Sequence, residues 1–188
     1  MNHYLDIQLR PDPEFGAPML MNALISKLHR ALAEMKATDI GISFPNYSLS
    51  PQKLGDRLRL HGTEQRLNQL MEKRWLTGMS DHTRCDTPKP IPTEVKHRRV
   101  QRRQVKSNAE RLRRRRMKRK GETYEQAAQA IPNSVEQKST LPFATLSSNS
   151  TGELFKLFID QGEPLTAERP GLFSSYGLSK GATIPWFE

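Results

Sequence analysis

Leu5, Ile7 and Leu9 occupy alternate positions in HYLDIQLR, residues 3–10, so all three face one side of an extended chain. That period of two predicts a strand, ended by Pro11 and Pro13. From Pro18 to about Met35 the period lengthens. Leu20, Leu24, Leu28, Ala31 and Met35 recur at helical spacing and make one apolar stripe. Ile40, Ile42 and Phe44 alternate again and stop at Pro45, and Leu58 and Leu60 predict a third strand closed by His61-Gly62. Thr63 is suited to cap a second helix, with Leu67, Leu70 and Met71 turned inward. Pro88, Pro90 and Pro92 then punctuate a polar stretch with room for one short strand. The order β-α-β-β-α-(β) predicts a ferredoxin-like half, a layout that many functions share.

The prolines put a domain boundary near residue 93. Beyond it come a long basic run, a short helical stretch around Tyr124 to Ala130, and a β-rich final third. Leu141 to Leu146 and Leu154 to Ile159 read as strands, with Ser147 to Gly152 as the turn between them. The fold class expected is α+β: a ferredoxin-like N-terminal domain over residues 1–93, and a C-terminal, β-containing region over residues 94–188 bearing an arginine-rich helix at about 108–120.

Charge sharpens this picture. The stretch from Lys96 to Lys120, KHRRVQRRQVKSNAERLRRRRMKRK, holds 14 of the chain's 30 Lys and Arg but only one acid, Glu110. The other 163 residues carry 16 bases against 19 acids. So concentrated a positive charge calls for a polyanion, and nucleic acid is the first candidate. Membrane-binding basic helices carry bulky apolar residues on one face, whereas this helix offers only Leu112 and Met117. No apolar run approaches the ~20 residues of a membrane span. The first residues lack the basic and apolar regions of a secretory signal, and the lone Cys85 permits neither an internal disulfide nor a cysteine zinc site. A soluble, cytoplasmic protein with no membrane partner is expected.

Ser107 and Glu110 fit a capping box, and Gly121 fits the position just past a helix end. At 100° per residue, Arg111, Arg115, Lys118 and Arg119 fall within a stripe of roughly 100°, while Arg113, Arg116 and Lys120 cover much of the far side. Like charges at i,i+4 repel, and phosphates would relieve that repulsion. Just upstream, Arg102 and Gln104 are suited to guanine and adenine edges, though composition alone favours phosphate contact or plain surface.

Candidate chemistry is sparse. The five histidines are scattered, and there is no phosphate-binding loop, nucleotide-binding glycine motif or nucleophile elbow. For an enzyme acting on RNA, the economical route lets the RNA's own 2′-OH attack the adjacent phosphate, with the protein supplying a base and charge stabilisation. His29 is a candidate base, on the first helix but off the centre of its apolar stripe. From position alone a surface or structural residue is the readier reading. Ser147, Ser148 and Ser150 sit in a turn, where serine is ordinary, and Tyr176 beside Gly177 could be a core aromatic. Spacing alone does not join these residues.

Five blocks taken together do join them: HYLDIQLRPDPEF, KLHRAL, QVKSNAERLRRRRMKR, LPFATLSSNSTG and YGLSKGATIPWF. Over essentially its full length the chain resembles the CRISPR repeat-processing endoribonucleases of subtype I-F systems, the Csy-type family. The resemblance implies binding to a CRISPR repeat RNA hairpin and cleavage at the 3′ base of its stem, with no metal and no cofactor. It implies a base at His29, an active-site serine at Ser148 and a tyrosine that orients the histidine at Tyr176. It implies groove readers at Arg102 and Gln104, groove-inserted residues at Arg115, Lys118 and Arg119, and a stacking aromatic at Phe155. Further RNA contacts are expected from Ser107, Arg111, Arg114, Ser150 and Thr151. The resemblance also implies a protein monomeric when alone, which keeps its product and joins the other subunits of the subtype I-F surveillance complex. Lys118 stands where the family pattern leads us to expect arginine, and Ser147 and Asn149 where it leads us to expect Arg and Gln.

Overall fold

A computed structural model describes residues 1–104, 109–132, 139–148 and 151–188. The chain forms two compact units, residues 1–103 with 141–188, and residues 104–140. The elements are those of an α+β protein.

In the first unit, β1 (His3–Leu9), α1 (Ala17–Glu34), β2 (Gly41–Ser43), the small hairpin β3 (Ser48–Leu49) and β4 (Gln52–Lys53), β5 (Arg57–Gly62), α2 (Glu64–Glu72), β6 (Thr83–Cys85) and β7 (Lys89–Pro90) come in that order. An antiparallel sheet is built in the order β2-β5-β1-β6, with β7 also pairing β1. In its centre Leu5 faces Leu60 and Ile7 faces Leu58. Their side chains are buried with Leu20, Leu24, Ile25, Leu28 and Leu32 of α1, so the alternating and helical patterns meet in one core. Thr63 caps α2 by accepting a hydrogen bond from the Arg66 N–H at 3.3 Å.

The opening of the basic run is extended, as β8 (Lys96–Arg98) and β9 (Val100–Arg103). Only Val100 there is a buried apolar residue, so no hydrophobic alternation announces the strands. β10 (Phe143–Ser147) and β11 (Leu154–Gln161) join β9 in a second antiparallel sheet, β10-β11-β9, and β12 (Ile184–Trp186) pairs β8. The Gln161 side chain ties this sheet to the end of β2. Its carbonyl accepts from Phe44 N at 2.9 Å and its amide donates to Phe44 O at 3.0 Å. Ala144, Leu146, Leu157 and Ile159 extend the same core.

The second unit contains α3 (Ala109–Lys120) and α4 (Tyr124–Ala130). Gly121 ends α3 with φ +66°, the left-handed conformation that glycine adopts freely, and its N–H reaches Met117 O at 2.8 Å. Thr123 and Gln126 form a reciprocal capping box at the start of α4. No helix among the described residues is long and apolar enough to cross a membrane.

Candidate functional site

His29 lies on α1 among the partly buried positions beside the apolar stripe. Its Nδ1 is 3.0 Å from the backbone carbonyl of Ser175. A carbonyl only accepts, so Nδ1 carries the ring proton and, in the neutral imidazole, Nε2 keeps the lone pair. The imidazole also lies flat on the Tyr176 ring, with centroids 3.8 Å apart and planes inclined by 3°. Burial raises the Tyr176 phenol above its usual range, against a smaller opposite pull from Arg102.

The loop carrying Ser175 and Tyr176 is held by its own hydrogen bonds. The Ser174 hydroxyl accepts from the N–H groups of Tyr176 and Leu178, each at 3.3 Å, and Ile42 N on β2 donates to Gly177 O at 3.0 Å. Gly177 has φ +69°, and a Cβ there would stand 2.6 Å from Cγ2 of Ile42. Glycine is required for both conformation and close approach, and this fixes the loop against β2.

Ser148 begins the turn after β10. Its N–H donates to Glu153 O at 2.9 Å, and its hydroxyl accepts from Thr151 N at 3.4 Å. His29, Ser148, Tyr176 and Phe155 line one cavity of about 320 Å³, together with Ser26, Arg30, Leu146 and Ser147. Three segments remote in sequence thus meet around one imidazole. Ser26, Arg30 and the Ser175 carbonyl escape the reading of the sequence. Ser26 and Arg30 could have been found from helix spacing, since with His29 they share one face of α1. A backbone carbonyl leaves no such mark.

Phe155 is half-buried on β11, and the Arg102 guanidinium on β9 sits 5.8 Å from its ring centroid. Gln104 and Thr151 are exposed. Ser107, Asn149 and Ser150 lie outside the described residues.

In the second unit the arginines of α3 divide into two sets. Arg113 is only 8% exposed; its Nε donates to Ile131 O at 2.9 Å, and its guanidinium lies 5.9 Å from the Tyr124 ring centroid. Arg116 makes a two-pronged contact with Glu122 at 2.5 and 3.0 Å. These two cations tie α3 to Glu122, Tyr124 and Ile131, a task usually given to an apolar face. Arg111, Arg114, Arg115, Lys118 and Arg119 lie on the more accessible side, Arg114 with Glu110 at 3.4 Å. They span roughly 140° of the helix surface at 100° per residue.

Among the described residues, no group of three or more His, Cys, Asp or Glu side chains is placed to hold a metal ion.

Comparison with known proteins adds the family. The model of the CRISPR-associated protein family Cas_Csy4 matches residues 4–187. Over 187 residues the chain is 46% identical to the CRISPR-associated endonuclease Cas6/Csy4 of Pseudomonas aeruginosa (strain UCBPP-PA14), with 100% of each chain covered. It is 48% identical, at the same coverage, to the protein of that name from Escherichia coli (strain UTI89 / UPEC). The chain belongs to the CRISPR-associated Csy4 family of endonucleases.

Proposed function

We propose that the protein is a cytoplasmic endoribonuclease that binds the stem-loop of CRISPR repeat RNA and cuts at the 3′ base of the stem without a metal ion. The observation that carries this reading is the His29 imidazole, donating through Nδ1 to Ser175 O with Nε2 left basic, in one cavity with Ser148 and Tyr176.

His29 Nε2 takes the proton of the 2′-OH at the cleavage nucleotide. The 2′-oxygen attacks the adjacent phosphorus, a new O2′–P bond forms and the P–O5′ bond breaks. The departing 5′-oxygen takes a proton from solvent, leaving a 2′,3′-cyclic phosphate and a 5′-OH. A positioned base contributes ~10²–10⁴ in rate. Ser148 positions the attacking hydroxyl or its ribose. The face of Tyr176 fixes the plane of the imidazole, so the base enters the reaction already oriented.

Substrate is held by the basic run. Arg111, Arg114, Arg115, Lys118 and Arg119 contact phosphates of the stem, and Ser107, Ser150 and Thr151 contribute further RNA contacts. Arg102 and Gln104 read base edges, and Phe155 stacks on the terminal base pair. The major groove of long A-form duplex is too narrow and deep for side chains to read, but a short hairpin stem is open at its end and admits a slim helix. In this reading residues 1–93, with the strand order β2-β5-β1-β6, form the ferredoxin-like domain that supplies the base. Residues 94–188 form the RNA-binding region. The free protein is a monomer, and after cleavage it stays on the guide RNA and joins the other subunits of the subtype I-F surveillance complex.

Incubation with a cognate repeat hairpin in EDTA, with end-group analysis of the product, tests the reading. Cyclic-phosphate and 5′-OH ends are expected, and complete loss of cleavage in EDTA would contradict it. A single deoxyribose at the cleavage nucleotide should stop cutting and leave binding intact.

A further inference from the structure

We propose that Arg30 is a further catalytic residue: its guanidinium contacts the scissile phosphate and stabilises the negative charge that builds there as the 2′-oxygen attacks. The inference rests on the endoribonuclease reading above, and addresses a demand that His29, Ser148 and Tyr176 leave unmet. Attack converts a phosphodiester carrying one negative charge into a five-coordinate species carrying more. A base can start that step, but a cation or an array of donors must face the phosphate oxygens for it to go quickly.

Among the described residues lining the His29 cavity, Arg30 is the only Lys or Arg. Ser26, His29 and Arg30 stand at i, i+3 and i+4 on α1, so they are neighbours on one helix face. The Arg30 Nε lies 3.4 Å from Ser26 O, one turn back. That long contact sets Nε against the Ser26 carbonyl, and both residues line the same cavity. Among the described residues no acid pairs with it, and both terminal nitrogens are without a hydrogen bond. A guanidinium fork matches the two non-bridging oxygens of a phosphate.

The neighbouring cations are otherwise engaged. Lys27 donates to Thr77 O at 2.8 Å, away from the cavity lining. Arg102 lies over the Phe155 ring and is outside that lining. Arg30 is exposed and lies outside the hydrophobic core, so its replacement should leave the fold intact.

The test is single-turnover cleavage of the repeat hairpin with protein in saturating excess, with hairpin affinity measured in parallel. Arg30→Ala should cut roughly 10²-fold more slowly, within the range seen when one charge-stabilising donor is removed. Its affinity should stay within about threefold of the parent, as expected of a contact made chiefly in the transition state. Arg30→Lys should fall between the two, keeping charge but losing the fork. Guanidinium ion at millimolar concentration should partly restore Arg30→Ala and leave His29→Ala unaffected. If Arg30→Ala cuts within about twofold of the parent while His29→Ala does not cut, the role of Arg30 is refuted and the endoribonuclease reading survives. If the whole loss appears in affinity, Arg30 is a binding residue and the proposal is likewise refuted. If the parent protein itself leaves the hairpin uncut, both proposals fall.

Discussion

The imidazole of His29 lies parallel to the phenol ring of Tyr176, with centroids 3.8 Å apart, and among the described residues no hydrogen bond joins the two side chains. In the proposed mechanism the tyrosine therefore orients the imidazole with its face rather than its hydroxyl. Tyr176→Phe keeps the face and should cleave repeat RNA within about threefold of the parent. Tyr176→Leu loses a stack worth about 0.5–1.5 kcal/mol, together with the alignment it maintains. Its single-turnover rate should drop roughly tenfold or more, at unchanged hairpin affinity. Equal loss in the two variants would transfer the role to the hydroxyl.

The division of α3 into internal and outward arginines predicts two unlike phenotypes. Arg113→Ala removes the buried bond to Ile131 O and the contact with Tyr124, a loss of about 1–3 kcal/mol. It should appear as faster amide exchange across α4 in the RNA-free protein. Arg115→Ala should leave exchange unchanged, weaken hairpin binding and lower the slope of log affinity against log salt by about one. Interchanged phenotypes would overturn this division.

His61 is buried beside Ser43, and burial holds its pKa down at about 3, against 6.5 in the unfolded chain. Between those values the unfolded chain binds the extra proton, so stability is lost as pH falls and is fully present above about 6.5. The slope approaches about 1.4 kcal/mol per pH unit. The denaturant midpoint should therefore fall between pH 6.5 and 5, above the range where Asp12, Asp56 and Glu122, whose carboxyls are all held low, begin to protonate. A His61→Gln variant, less stable at pH 7, should lose that slope; an undiminished slope would assign it to another group.

Much of the fold was legible because it is local. Leu5, Ile7 and Leu9 alternate, and the stripe from Leu20 to Ala31 repeats at helical spacing, so strand and helix could be read where they stand. The opening of the basic run was not legible: its two strands bury the single apolar residue Val100, between Arg99 and Gln101, and carry no period to read. Composition does not distinguish Arg113 from Arg115 either: helical spacing puts them on different sides, but the Ile131 carbonyl and Tyr124, which make Arg113 internal, leave no mark in the sequence. The cavity is harder still. His29 meets the Ser175 carbonyl across 146 positions, and Ser148 arrives on a third segment. Contacts that long leave no spacing behind, and only the family's five sequence blocks brought His29, Ser148 and Tyr176 together in advance.

In the proposed mechanism His29 is the base that activates the 2′-OH. Single-turnover cleavage of a repeat hairpin by His29→Ala, at concentrations where binding is complete, tests it most directly. His29→Ala should bind the hairpin within about threefold of the parent affinity and cut it at least roughly 10²-fold more slowly, the minimum expected on loss of a general base. Cleavage at the parent rate by the fully bound variant would contradict that role.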